Sequence, residues 1–202
     1  AGIAVVCGVS TGCIGGLAQV IYMIKGHDVP AEYAGFNEKR IAVVVVTDEP
    51  SHGPDPLRKT IARSIAGKLE MNIEVIDVVP EIEISQWIDE NNWNGADFAE
   101  VGDGVDADFV LGVYLDDYSI RQGSTIYKGR SEVTVTVVDC ATGKTTYTTG
   151  PDIFEYPENG RPALQTDDRR FEIFYLAWLT KRIARQFYKH NPLEDVADDA
   201  AF

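Results

Sequence analysis

Residues 40–47 read Arg-Ile-Ala-Val-Val-Val-Val-Thr, a run of β-branched side chains with no alternation of polar and apolar positions. A strand that is apolar at successive positions buries both of its faces. It therefore belongs inside a sheet with helices packed on it, which sets the class as α/β. The residues that follow agree. Asp55 precedes Pro56, an N-cap side chain followed by a residue whose fixed φ suits the first helical position. Leu57, Ile61, Ile65 and Leu69 then recur every four residues, one apolar stripe of a helix. Asn72 closes that helix, and residues 73–79 read as a second strand stopped by Pro80.

Further along, short helices are expected near residues 84–91, carrying Trp87 and Ile88, and near 98–105. A third strand covers 109–115. Residues 132–139 alternate polar and apolar, as a strand does with one buried and one wet face. A turn at 141–144 returns the chain through 145–149. After a Pro- and Gly-rich loop, a long helix begins near Thr166–Asp168, with Phe171, Phe174, Tyr175, Trp178, Ile183 and Phe187 on its apolar face. The order β-α-β-α-α-β-β-β-α gives a single α/β domain (α+β in its second half). Its sheet is mixed parallel and antiparallel, and its helices make two or three layers. The expected division is an amino-terminal membrane anchor over 1–24, a polar linker over 25–38, the domain over 39–190 and an acidic tail over 191–202.

The chain has 202 residues, a formal net charge of -14 and 45% hydrophobic residues. That length buries enough apolar surface to fold without disulfides or metals. The charge repels nucleic-acid phosphates, so nucleic acid is excluded as a first partner. Cys7, Cys13 and Cys140 lack zinc-ligand spacing, and the body alone has no second cysteine for a disulfide. Cys140 reads as a small strand residue at the edge of a turn.

Residues 1–24 contain no charged side chain; Lys25 is the first. An uncharged, largely apolar run of about 18 or more residues is long enough to span a bilayer. Two devices fit it. Ser10-Thr11-Gly12-Cys13 is similar to a lipobox, with small residues ahead of a cysteine that becomes lipidated. Alternatively the run stays as a helix, with Gly8, Gly12 and Gly16 along one face where a second helix approaches closely. Both put the body outside the bilayer, on the extracytoplasmic side.

Candidate chemistry is sparse. The loop after the first strand holds Asp48, Glu49, His52 and Asp55, donors for a divalent metal or for acid–base work, placed where open α/β sheets bind ligands. A solvated turn with Asp55 as helix cap explains the same residues. Thr142-Gly143-Lys144-Thr145-Thr146 ends like a phosphate-binding loop. That loop requires a glycine where Val138 stands and a helix where a strand follows. The three histidines, His27, His52 and His190, are far apart in sequence, and no nucleophile elbow is present. Trp87 and Trp93, beside Asn91 and Asn92, are candidates for an aromatic interaction patch.

Val105-Asp106-Ala107-Asp108-Phe109-Val110-Leu111-Gly112 followed by Asp139-Cys140-Ala141-Thr142-Gly143 resembles a pair of strand and turn motifs in bacterial envelope proteins. They include the curli secretion lipoprotein family, the outer-membrane lipoprotein activators of penicillin-binding proteins, and the amino-terminal domain of the Tol-system translocation protein. The resemblance covers about residues 40–150. It implies an extracytoplasmic, often lipid-anchored adaptor or assembly subunit without catalysis or cofactor. Its partners would be other envelope or membrane proteins, a second copy included, with lipid met through the amino terminus. The alternative is a small metal-dependent hydrolase or ligand-binding module built on the first loop. A pore of the curli type needs long amphipathic hairpins, and residues 116–128 carry charges on both faces.

Overall fold

The computed structural model describes residues 28–48, 56–124, 126–157 and 167–192. The valine run forms β1 (Lys39–Thr47). Ile41, Val43 and Val45 bury against one core and Ala42 and Val44 against another, on opposite sides of the strand. α1 (Pro56–Asn72) opens on its proline and buries Ile61, Ile65 and Leu69, each worth about 1.5–3 kcal/mol of apolar transfer. β2 (Ile76–Val78), α2 (Glu81–Asn91) and α3 (Phe98–Gly104) follow. Then come β3 (Phe109–Gln122), β4 (Ile126–Asp139) and β5 (Lys144–Tyr156). α4 (Asp168–Ala184) runs directly into a 3-10 turn (Arg185–Phe187).

The five strands form one mixed sheet in the order β2-β1-β3-β4-β5. β1 is parallel to β2 and β3, while β3–β4 and β4–β5 are antiparallel. The chain steps from β1 to β2 in one direction and from β2 to β3 in the other. Right-handed crossovers then place α1 on one face and α2 with α3 on the opposite face. α4 joins α1, and Ser64 and Thr180 hydrogen-bond between them at 2.8 Å. The result is three layers, α/β/α, with one core on each side of the sheet.

The resemblance motifs are turns that close the lower end of the sheet. Asp106 takes a left-handed conformation (φ 55) and the Asp108 carboxylate accepts from the Arg40 backbone N–H at 2.9 Å. The Asp108 carbonyl accepts from Cys140 N–H at 3.0 Å, tying one motif to the other. Gly102 completes that contact, because a Cβ there would lie 2.2 Å from the Cys140 sulfur. Asp139 accepts from both the Thr142 N–H and its hydroxyl, Gly143 turns at φ +65, and β5 follows, which is strand geometry and not a phosphate loop.

Several expectations need correction. The second strand pairs only over Ile76–Val78, with Val75 exposed. The third to fifth strands are longer than expected: β1 ends by pairing Thr47 with Leu115, and the β3–β4 hairpin continues beyond it. The extension is held by α4. Tyr127 donates to Asp168 at 2.7 Å, and Arg121 pairs with the same carboxylate while lying 4.6 Å from the Tyr127 ring centroid. Phe174 leaves the apolar face of α4 and is 37% exposed. Cys140 stands in the turn after β4 rather than in the strand.

Residues 28–38 pack on the body. Val29 and His190 exchange two backbone hydrogen bonds (2.8 and 3.1 Å), Tyr33 N–H donates to the Gln186 carbonyl, and Phe36 is buried with its ring stacked on Phe187. Cys13, Gly8, Gly12, Gly16 and residues 193–202 lie outside the described residues. Among the described residues, no helix is long and apolar enough to cross a membrane.

Candidate interaction face

α2 ends where Asn92 adopts φ 50, and the Asn91 amide donates to the Trp87 carbonyl at 2.9 Å. The chain then turns through Trp93 to Asp97, whose carboxylate caps α3 by accepting from Ala99 N–H at 2.8 Å. The Trp93 indole N–H donates to the Asp97 carbonyl at 2.9 Å, and its ring packs on Phe98 at 5.7 Å. These local bonds fix Trp93 without burying it. Trp87 lies against the end of α3, where only glycine fits: a Cβ on Gly104 would fall 2.0 Å from the Trp87 indole nitrogen.

The two half-buried indoles, distant by only six positions in sequence, therefore line one open groove of about 570 Å³ between α2 and α3. Asn91, Asn92, Asn94, Glu100 and Asp103 complete its walls. Aromatic rings beside carboxylates attract cations, through the ring quadrupole and by direct charge.

The electrostatics of this face extend past the groove. Residues 69–120 carry fourteen acidic side chains and no Lys or Arg, so this stretch holds the whole of the net charge of -14. The remainder, with eighteen acidic and eighteen basic residues, is neutral. Glu100, Asp103 and Gly104 were not singled out as site residues from the sequence. The signal that marks them is this run without a basic residue, which composition averaged over the chain hides.

One carboxylate at the border is spent internally. Glu81 at the start of α2 meets Arg63 at 2.7 Å, Lys59 at 3.8 Å and the Ser85 hydroxyl. Burial works to raise its pKa, and the hydrogen bonds from Ser85 and Arg63 outweigh that and hold it below the usual carboxylate value. Cys140 shows the opposite. Burial first, then the nearby Asp103, Asp139 and Asp108 charges, push its thiol up to about 11, so it is a poor nucleophile near neutral pH.

Of the first-loop candidates only Asp48 is among the described residues; it is exposed just past the carboxyl end of β1. Glu49, His52 and Asp55 lie outside them. Among the described residues no three His, Cys, Asp or Glu side chains are grouped to hold a metal.

No protein-family model matches the chain, and no curated protein is similar enough in sequence to match. Solved structures that resemble it include a lipoprotein of Neisseria meningitidis, 15% identical over 72% of this chain and 97% of that one, with a TM-score of 0.48. The PelC dodecamer of Paraburkholderia phytofirmans is 12% identical over 80% of this chain and 96% of its own, with a TM-score of 0.44. The LpoB C-terminal domain of Salmonella enterica is 12% identical over 68% and 92%, with a TM-score of 0.35. One of the three is a bacterial lipoprotein by name. At 15% identity or less and TM-scores below 0.5, none of the three transfers an activity or a partner to this chain.

Proposed function

We propose that this chain is a non-catalytic subunit of a bacterial cell envelope, tethered on the extracytoplasmic side, that acts as an adaptor or assembly part through contacts made on its α2–α3 face. The tether is the amino-terminal run, through a lipid on Cys13 or a helix packed along Gly8, Gly12 and Gly16. The observation that carries the reading is the groove: Trp87 and Trp93 left half-exposed between two helices that carry no basic residue, in a lining whose only charged side chains are Glu100 and Asp103. Tryptophan is costly to leave in contact with water and is concentrated at interface hot spots.

A photo-crosslinking residue placed at Asn92, in cells of the source organism, tests it. The expected result is a discrete adduct with an envelope protein, absent when the crosslinker sits at Lys144 and lost in a Trp87→Ala background. Equal adducts at both positions would remove the α2–α3 face from the proposal. Intact mass of the native protein tests the tether: an acylated Cys13 at a new terminus marks the lipid, and an unmodified mass that includes Ala1 marks the retained helix.

A further inference from the structure

The two helix layers carry opposite charge. α1 and α4 hold eight basic residues against three acidic ones. α2 and α3, across the sheet, hold six acidic residues and no basic one. Each layer also exposes apolar side chains: Ile173 and Phe174 on α4 (59% and 37% exposed), with Arg170 lying 5.9 Å from the Phe174 ring centroid, and Trp87 and Trp93 in the groove. Arginine and aromatic side chains are the residue types that dominate interface energetics.

We infer that the α2–α3 face of one molecule takes the α1–α4 face of a second copy of this chain, head to tail. The inference rests on the reading of the α2–α3 face as a contact surface and names its occupant. Both halves of the complementarity stand on one chain: the acidic groove on one side of the sheet, and the Arg169, Arg170, Ile173 and Phe174 surface on the other. Because the excess of negative charge lies in residues 69–120, two copies so oriented bring unlike charges together although each molecule is acidic overall. The contact is heterologous. It builds a closed ring if its rotation closes and an open filament if it does not.

Two charge reversals test it on the full chain in detergent. Glu100→Lys with Asp103→Lys puts cations on the groove wall that would meet Arg169 and Arg170, and Arg169→Glu with Arg170→Glu puts carboxylates where the surface would meet Glu100 and Asp103. The Asp103→Lys cation in the last turn of α3 and the Glu side chains at 169 and 170 in the first turn of α4 suit the helix dipole; Glu100→Lys opposes it in the first turn of α3, but at an exposed position outside both cores, so neither pair is expected to unfold the domain. By light scattering the unaltered chain should exceed monomer mass at about 10 mM salt, where the Debye length is about 30 Å, and fall toward the monomer near 1 M, where it is about 3 Å. Each reversed pair alone should stay monomeric at low salt, and an equimolar mixture of the two should regain at least twice the monomer mass. Association through the leader would ignore these changes. A mixture that stays monomeric, a reversed pair that associates like the unaltered chain, or an unaltered chain monomeric at all salts overturns the inference. In those cases a discrete crosslink from Asn92 to a different envelope protein would leave the proposed function standing, whereas the lack of any adduct there would end both.

Discussion

Changing Tyr175 to Phe removes one oxygen from the centre of the α4 core, and the structure sets what that costs. Tyr175 is fully buried, and so is Ser131 on β4, whose hydroxyl bonds the phenol. The phenol donates onward to the Phe154 carbonyl at 3.1 Å, so one side chain joins β4, β5 and α4. In Tyr175→Phe the Ser131 hydroxyl keeps its burial and loses its partner, a penalty of about 1–3 kcal/mol, and Phe154 loses a bond worth about 1 kcal/mol. The expected total is about 2–4 kcal/mol, which for a domain of this size lowers Tm by roughly 4–16 °C. Ser131→Ala leaves the Tyr175–Phe154 bond in place and should cost about 0.5–1.5 kcal/mol. The double variant has no stranded hydroxyl. It should cost less than the sum of the singles by about 1 kcal/mol or more, as groups in one hydrogen-bonded network do. Urea titration measures all three, read from the midpoint at constant slope. A Tyr175→Phe loss under about 0.5 kcal/mol, or strict additivity in the double, would refute the claim that this bridge holds α4 to the sheet.

Two further outcomes follow from charge and burial. Glu81 has its folded pKa held below its unfolded one, so its contribution is present above the unfolded value and lost as pH falls through the folded one; Glu81→Gln should therefore flatten the acid limb of a stability–pH curve, and an unchanged limb would contradict the pairing with Arg63 and Ser85. Cys140, with its thiol pushed up to about 11 and its side chain buried, should resist iodoacetamide at pH 8 in the folded protein and react on denaturation. Peptide mass mapping, which separates it from Cys7 and Cys13, checks this, and rapid labelling of the native protein would refute it.

The valine run was legible because β1 is buried on both faces, so its sequence has no solvent side to dilute the pattern. α1 was equally clear, since its buried stripe Ile61, Ile65 and Leu69 keeps strict spacing. The hairpin extension was not. Its strand residues 116–122 include Asp116, Asp117, Ser119, Arg121 and Gln122, held by the Asp168 clamp and ring contacts to α4 rather than by alternation. β5 was shortened in the reading because Gly150-Pro151 interrupts it; proline is tolerated there because β5 is an edge strand. The packing of residues 28–38 rests on two aromatics, Tyr33 and Phe36, whose partners Tyr147 and Phe187 are over a hundred positions away. The Trp pair was visible as residues, but their convergence depends on Gly104 and the Asn92 turn, which no spacing rule connects.

The Val29–His190 bridge has a mechanical consequence. The chain enters the body beside the place where it leaves, and its first described residues lie as a strap along the end of α4. A pull on residue 28 is borne first by the two Val29–His190 bonds and the Asp28–Lys189 ion pair, then by Tyr33 on Gln186. Only after these does it reach Phe36, which belongs to the core. Peeling the eight residues 28–35 frees a length of chain of at most roughly 28 Å. Such peeling removes Tyr33 from the rings of Phe36, Tyr147 and Phe187 at the margin of one core and leaves the sheet and the α2–α3 groove, on the opposite side, untouched.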